Sequence, residues 1–334
     1  MTVSVRDVAA AASVSVGTVS NVLNRPDRVS PETVARVLAT IERLGFVRND
    51  AARQLRAGRS RTVGLIVLDL RNPFFTEVAR GAEERAAQHG LSVLVANSDE
   101  QATRESTHLD LFEQQRAFGV LITPVGDILP RVRTLAARGV PAVLVDRGSP
   151  TEDVASVAVD DVHGGRIAVQ HLLEQNRRRI AFIGGPRTVR QVGDRLDGAR
   201  SAIASVPGAD LEVIDTPSLS VEAGRQAGRI ILTRPPHARP DAIFAANDLI
   251  AVGLLQAMVM TGDVRIPHDI ALIGYDDIDF AASAVIPLSS VHQPAPLIGS
   301  TAIDLLVGIA SGGRAAERVR FRPELRVRAT SALR

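Results

Sequence analysis

The sequence predicts a small all-α head followed by a larger α/β core that consists of two doubly wound parallel-sheet halves. Two short helical patterns joined by a three-residue break stand near the N-terminus. From Thr62 onward, short β-branched runs alternate with helical segments, which is typical of βαβ units. The predicted strands are more than a single sheet usually contains, so we expect two halves with a cleft between them.

Composition excludes several classes of protein. The chain has 334 residues, of which 45% are hydrophobic, as expected for a folded chain with more than one domain. No run approaches the ~18 apolar residues of a membrane span, and the N-terminal residues lack the pattern of a secretory signal. The absence of cysteine excludes disulfides, thiolate metal sites and cysteine nucleophiles, and it fits a reducing cytoplasm.

The positive charge is concentrated at the N-terminus. All 39 basic residues are arginines. Residues 1–60 carry nine arginines against five acids, a net charge of +4, whereas the remainder carries 30 against 32, a net charge of −2. A local basic excess of this kind favours contact with phosphate.

The head begins with two short helices. Apolar residues recur at helical spacing from Val5 to Ala12, and a second helix is predicted over Val16–Leu23 with Ser15 as its N-cap. The turn between them is Ser13-Val14-Ser15. Two helices joined in this way form a helix-turn-helix unit, whose second helix is sized for the major groove of DNA.

A third helix is predicted to begin at Pro31, with Ser30 as N-cap, and to end at Gly45. Its predicted apolar face consists of Val34, Val37, Leu38, Ile41 and Leu44.

The stretch Asn49–Gly58, NDAARQLRAG, follows the head. It predicts a short helix that is too short to persist alone in water and that DNA can order. Leu55 stands between Arg53 and Arg56 with no core to fill, so it is a candidate wedge for a minor-groove base step. The alternative is a solvated linker.

The core alternates predicted strands and helices. The predicted strands are Val63–Leu68, Ser92–Ala96, Val120–Thr123, Val143–Asp146, Val157–Val159, Ile180–Gly184, Ile243–Ala246, Leu272–Tyr275 and Ser290–His292. The predicted helices are Phe74–His89, Gly164–Glu174, Asp248–Thr261 and Pro296–Ala310. Several strands end in polar residues, and ligands of open parallel sheets bind beyond these carboxyl ends.

Head, hinge and core together resemble the lactose/galactose repressor (LacI/GalR) family of bacterial transcription regulators. The string VSVGTVSNVLNRPDRVSPETVARVLATIERLGF carries the resemblance most specifically. By this likeness Val16, Gly17 and Asn21 meet base edges, and Ser4, Ser15, Thr18, Ser20 and Asn24 lie at or near the DNA backbone. Ala52, Arg53 and Leu55 match the minor-groove hinge helix, with Leu55 as the intercalating lever.

The resemblance also implies the architecture and its boundaries. A helix-turn-helix DNA-binding domain (1–46) and a hinge helix with linker (47–60) precede an effector-binding and dimerisation core (61–334). This core is similar to periplasmic binding proteins, with an N-subdomain of about 61–158 and 292–319 and a C-subdomain of about 159–291 and 320–334.

The implied effector pocket consists of Phe74, Asp146, Arg195, Asn247, Asp276 and Gln293. Fixed donors and acceptors of this kind suit a polyhydroxyl ligand such as a sugar. Leu219 stands where related sugar binders often have an aromatic residue, which leaves pentoses, polyols and nucleosides open. Helix capping is the alternative role for Asp276 and for Asp248.

Three residues depart from the family pattern in the head and hinge. Ser13 replaces a common glycine in the turn, where a left-handed residue costs roughly 1 kcal/mol without glycine. Arg48 replaces a proline before the hinge, and Asp50 places an acid near phosphates.

These observations predict a cytoplasmic, homodimeric repressor that binds a palindromic operator under the control of a small-molecule effector. No catalysis, cofactor, metal site or membrane contact is expected. A solute-binding protein of sugar uptake is the alternative, since it has the same core fold. A nucleotide-dependent enzyme lacks support, because the first strand–helix junction, DLRNPFF, contains neither a G-x-G-x-x-G nor a Walker motif.

Overall fold

The computed structural model describes residues 3–46, 60–262, 264–313 and 316–332. The chain divides into two compact units, Met1–Arg59 and Ser60–Arg334. The proposed hinge residues 47–59, with Ala52, Arg53 and Leu55, lie outside the described residues, so their role stays a prediction.

The described residues of the first unit form three α-helices, α1 (Val5–Ala11), α2 (Val16–Asn24) and α3 (Pro31–Leu44). The Ser15 hydroxyl accepts a hydrogen bond from the Thr18 amide at 3.0 Å and caps α2 as predicted. Apolar side chains from all three helices form one small core, which is what the helical spacing of these residues requires. The helix-turn-helix prediction is confirmed.

Two residues of the head test particular sequence predictions. Leu38 is 49% exposed, so its place in the predicted apolar face was wrong. It follows the buried Val37 and lies on the outer side of α3. Ser13 adopts a φ of 54°, the left-handed conformation that the turn was expected to need.

The second unit contains two six-stranded sheets of the same winding. The first has the strand order β11-β5-β4-β3-β1-β2, and the second has the order β12-β10-β9-β8-β6-β7. Neighbouring strands are parallel except that β12 is antiparallel to β10. The strands are β1 (Thr62–Val67), β2 (Ser92–Asn97), β3 (Gly119–Ile122), β4 (Ala142–Val145), β5 (Ser156–Val159), β6 (Arg179–Gly184), β7 (Asp210–Asp215), β8 (Ala242–Ala245), β9 (Ala271–Asp276), β10 (Ser289–His292), β11 (Arg318–Phe321) and β12 (Glu324–Arg326).

Helices connect these strands and cover both sheets. They are α4 (Pro73–Gln88), α5 (Ala102–Gln114), α6 (Leu129–Ala137), α7 (Asp161–Glu174), α8 (Arg190–Ile203), α9 (Val221–Leu232), α10 (Asp248–Thr261), α11 (Asp279–Ser283) and α12 (Ala295–Ala310). Within the described ranges, no helix is both long enough and apolar enough to cross a membrane.

All nine predicted strands and all four predicted core helices are present, and most of their ends lie within one residue of the prediction. The prediction missed β7, β11 and β12, which are edge strands with charged residues among the apolar ones. It also missed five helices of the core, α5, α6, α8, α9 and α11. In α8, glycines and charges interrupt the apolar spacing. Such elements form because a neighbouring strand or helix pairs with them.

The chain crosses between the two sheets three times. It leaves the first sheet after β5, returns to it through α12 after β10, and leaves again between β11 and β12. Each sheet reverses its winding direction beside its first strand, at β1/β3 and at β6/β8. The carboxyl ends of parallel strands at such reversals are the usual position of a ligand site.

Candidate functional site

The carboxyl ends of both sheets border one cavity. Its lining combines apolar and polar side chains from both halves of the core. The lining residues are Leu68, Asp69, Asn72, Phe74, Phe75, Glu100, Asp146, Val189, Gln191, Val192, Arg195, Leu219, Asn247 and Asp276.

Arg195 is held rigidly at the centre of this cavity. Its Nε donates to Asp161 Oδ1 at 2.8 Å, and its Nη1 donates to the Ala246 carbonyl at 2.7 Å. The guanidinium carbon lies 3.6 Å from the centre of the Tyr275 ring, a cation–π contact. Nη1 also lies 3.7 Å from Asp276 Oδ1. These contacts preorganise the guanidinium group for a ligand oxygen.

Asp276 accepts hydrogen bonds from both sides of the cavity. Asn72 Nδ2 donates to its Oδ2 at 2.9 Å, and Gln293 Nε2 donates to its Oδ1 at 2.8 Å. Asn72 belongs to the first half of the core, and Asp276 is the last residue of β9 in the second half. Their hydrogen bond therefore joins the two halves directly.

Asp146 and Gln191 form a second connection between the halves. Gln191 Nε2 donates to both the carbonyl oxygen and Oδ2 of Asp146, each at 2.8 Å. The other oxygens, Asp146 Oδ1 and Gln191 Oε1, are buried without a hydrogen-bond partner among the described residues. Unpartnered buried acceptors are costly, so this pair is ready to accept hydrogen bonds from a ligand.

The apolar wall and the helix N-terminus complete the site. Phe74 and Phe75 pack edge to face with their ring centres 5.1 Å apart, and both are buried. Asn247 caps α10: its Oδ1 accepts from the Ile250 amide at 3.0 Å, and its Nδ2 donates to the Leu219 carbonyl at 3.2 Å.

Burial is the largest influence on the pKa values of the acidic groups in the cavity. It raises the pKa of Asp146 well above its usual range, and the negative charge of Asp161 adds to this rise. Burial likewise raises the pKa of Asp276, although Arg195 opposes the shift. Burial alone would lower the pKa of Arg195, but the surrounding carboxylates, first Asp161, outweigh it and raise the pKa. Arg195 is therefore charged at every physiological pH.

The structure brings together five of the six residues that the resemblance places in the pocket, Phe74, Asp146, Arg195, Asn247 and Asp276. Gln293 is not part of the lining; it contacts the cavity through Asp276. Asp248 is fully buried outside the lining, where it accepts from Ser290 and from the Ile278 amide.

Sequence reasoning missed two functional residues, Gln191 and Asp161. Gln191 has no distinguishing neighbour in the sequence. Asp161 was seen only as half of the acidic pair Asp160-Asp161, and its contact with Arg195 spans 34 residues. In the part of the chain that the structure describes, no group of three or more His, Asp or Glu side chains can hold a metal ion.

The head presents the residues predicted to contact DNA around α1 and α2. Val16, Gly17 and Asn21 are exposed on α2, and nothing would obstruct a side chain at Gly17 beyond an ordinary contact with Ser15. Ser4 and Ser15 cap the two helices, Thr18 and Ser20 are half-buried, and Asn24 Nδ2 donates to the Ser20 carbonyl at 2.8 Å.

Comparison with known proteins yields two family matches. Residues 4–49 match the model of bacterial regulatory proteins of the lacI family, and residues 169–331 match a periplasmic binding protein-like domain. The ribose operon repressor of Bacillus subtilis (strain 168) is 34% identical over 305 residues, which cover 91% of each chain.

Two solved structures are similar along nearly the whole chain. The lac repressor dimer bound to operator and the anti-inducer ONPF is 27% identical with a TM-score of 0.86, and 100% of each chain is covered. The complex of the transcriptional regulator CelR with cellobiose is 32% identical with a TM-score of 0.71, covering 98% of this chain and 99% of that one.

A helix-turn-helix head joined to a two-sheet core with a polar interior cavity defines a transcriptional regulator that senses a ligand, and not an enzyme. The chain belongs to the LacI family. The family resemblance and the fold class predicted from the sequence are both confirmed.

Proposed function

We propose that this regulator is a repressor that binds a pseudo-palindromic operator as a dimer and changes its operator affinity when a small sugar fills the cavity. The observation that carries the proposal is the buried pair Asp146 and Gln191, whose free oxygens face a cavity already containing a fixed guanidinium group. A ligand with several hydroxyl groups supplies donors to the first two and an acceptor to Arg195.

Pentoses are the sugars to test first. A named relative is a ribose operon repressor, and the cavity contains Leu219 where an aromatic ring would stack on a larger sugar face. Phe74 and Phe75 supply the apolar contact instead. Polyols, nucleosides and cellobiose serve as comparison ligands.

We propose that α2 and the hinge contact the DNA. Asn21 has the amide group that pairs with adenine, and Val16 can contact a thymine methyl group. Because these contacts are few, much of the specificity is expected to come from how readily the central step of the operator kinks. Leu55 is the proposed wedge at that step. Action on DNA implies a cytoplasmic protein.

Effector control is proposed to act on the two hydrogen-bonded connections across the cleft. A sugar in the cavity competes with Asn72 for Asp276 and with Gln191 for Asp146, so it changes the angle between the halves. Couplings of this type are typically about 1–3 kcal/mol and act equally in both directions.

The experiment selects operator sequences from random DNA with the full-length protein, then measures operator affinity with and without ribose and the comparison ligands. We expect one palindromic site, with an affinity that changes at least about fivefold in the presence of the effector. Asp276→Ala should lose the effector response, so that its operator affinity no longer depends on ribose.

Asn21→Ala should relax the preference at one base pair in each half-site, while Glu42→Ala on the exposed side of α3 leaves it unchanged. A protein that selects no palindrome under any of these conditions contradicts the proposed function.

A further inference from the structure

A second and larger groove adjoins the sugar cavity. It lies between β4, β5 and β11 of the first half and α8 of the second. Asp146 and Gln191 belong to the lining of both spaces. The groove therefore contacts the same connection between the halves that the proposed sugar contacts.

Arginines dominate this groove. Arg318 and Arg320 are two residues apart on β11, so their side chains project from the same side of the strand. Arg147 follows β4, and Arg190 is the first residue of α8 on the opposite wall. These four arginines belong to both halves of the core.

The existing partners of these arginines hold them only weakly. Arg318 lies 3.5 Å from Glu152, which is itself 91% exposed, and Arg190 lies 3.7 Å from Asp194. Arg320 contacts Asp160 at 2.7 Å but remains 60% exposed. Exposed ion pairs of this kind contribute only about 0–1 kcal/mol each, so an incoming anion can replace the carboxylates.

The groove also contains carboxylates, and Arg147 retains an unused donor beside them. The lining includes three carboxylates, Asp146, Asp161 and Asp194, but Asp161 is already paired with Arg195. Arg147 Nη1 donates to the Gly126 carbonyl at 2.6 Å, whereas its buried Nε has no hydrogen-bond partner among the described residues. A guanidinium group with an unused buried donor, beside three others, is suited to an anion with several oxygens.

We propose that this arginine-lined groove is a second effector site, which binds a phosphate-bearing metabolite. An anion between Arg190 on one wall and Arg318 and Arg320 on the other bridges the two halves of the core. It therefore favours one of their relative arrangements, and through Asp146 and Gln191 it changes the affinity of the neighbouring cavity for the sugar. By linkage, the sugar changes the affinity for the anion by the same factor.

The test uses the full-length protein and inorganic pyrophosphate as the probe, at constant ionic strength. Binding is measured by calorimetry. Tyr275 provides a second signal, because the chain has one tyrosine and no tryptophan and this ring contacts Arg195 in the sugar cavity. We expect saturable binding that Arg318→Gln with Arg320→Gln weakens at least about tenfold. Arg190→Gln should weaken it from the opposite wall.

The control is Arg200→Gln with Arg265→Gln, which removes the same charge from exposed ion pairs elsewhere on the core. Equal pyrophosphate binding by groove and control variants overturns the proposal and locates the anion elsewhere, for example on the basic head. The absence of saturable binding in the unsubstituted protein overturns it too. Operator binding and the sugar response, measured on the same variants, separate this result from the proposed function and show that the core is folded.

Discussion

At the scale of single residues, Asp146 combines an uncommon backbone conformation with a buried and incompletely hydrogen-bonded carboxyl group. It adopts a φ of 57°, which is uncommon for a residue with a side chain. The residue is 4% exposed, and its carboxyl group retains one oxygen without a partner among the described residues. A residue that is strained and poorly solvated is maintained when it has a functional role, here as a hydrogen-bond acceptor for the ligand.

Replacement of Asp146 by Asn separates stability from ligand binding. Asparagine tolerates a positive φ better and removes the buried charge, so the unliganded core should gain about 1 kcal/mol of stability at neutral pH. Sugar affinity should fall about tenfold or more, because a charge-assisted hydrogen bond is lost. Thermal unfolding with and without ribose measures both effects. Asp197→Asn, on an exposed part of α8, should change neither; a destabilised Asp146→Asn core contradicts the role given to the carboxylate.

The raised pKa of Asp146 predicts opposite pH trends for stability and for sugar affinity. Since its pKa is higher in the folded chain than in the unfolded one, its contribution to stability is present at low pH and is lost as the pH rises through the folded-state pKa. The advantage of Asp146→Asn should therefore shrink as the pH is lowered. Sugar affinity should decrease over the same interval, because protonation removes an acceptor. A sugar affinity that is independent of pH, or that rises on acidification, would exclude the carboxylate as a ligand group.

At the scale of secondary-structure elements, glycines at helix crossings position the site. At the crossing points of three helix pairs, each helix contributes one glycine. The pairs are α4 with α12, α7 with α8, and α9 with α10. A side chain at any of these glycines would collide with the backbone of the opposite helix. The glycines are Gly81 and Gly299, Gly165 and Gly198, and Gly224 and Gly253. The second pair matters most, because α8 carries Gln191 and Arg195.

Gly165→Ala is expected to displace α8 and with it the guanidinium group of Arg195. The added methyl group would strike the carbonyl oxygen of Arg195, so we expect a loss of about 1–3 kcal/mol of stability together with a weaker sugar response. Gly193→Ala is the matched control on α8, since nothing lies within 4 Å of its added methyl group. It should stabilise the helix by about 0.5–1 kcal/mol. Unfolding by urea compares the two variants, and equal stability of both would disprove the close-packing argument.

At the scale of the whole molecule, an exposed apolar surface supports dimer formation. Met260 is 84% exposed, Phe280 60% and Val285 86%, and they border an apolar groove between α10 and α11. Contiguous apolar surface of this kind is typical of an interface. The similar lac repressor structure is a dimer bound to operator, and we expect this apolar face to lie between two copies of the present chain.

Phe280→Glu should therefore convert the dimer to a monomer and weaken operator binding at least about tenfold, because one head reads only one half-site. Ile230→Glu, at a similarly exposed apolar residue of α9, should leave both properties intact. Sedimentation measures the oligomeric state of each variant, and titration with operator DNA measures its affinity. A dimer that persists in Phe280→Glu places the interface elsewhere.

Local sequence patterns predicted much of the fold of this protein. Apolar spacing and capping residues predicted α1 to α3, and runs of buried β-branched residues predicted every central strand, since these signals depend on neighbours within a few residues. Polar residues at strand ends, together with the resemblance, located most of the candidate cavity.

Only the tertiary structure decided how the cavity is connected. Asn72 contacts Asp276 over a separation of 204 residues, and the paired oxygens of Asp146 and Gln191 are left free by contacts that no local pattern records. Charged edge strands such as β11 could be recognised only once the neighbouring strand was in place. The arginine groove depends on β11, so it too could not be predicted from the sequence. The physical reason is that burial and hydrogen bonding depend on contacts between residues far apart in the sequence. Apolar periodicity depends only on residues that are close together in it.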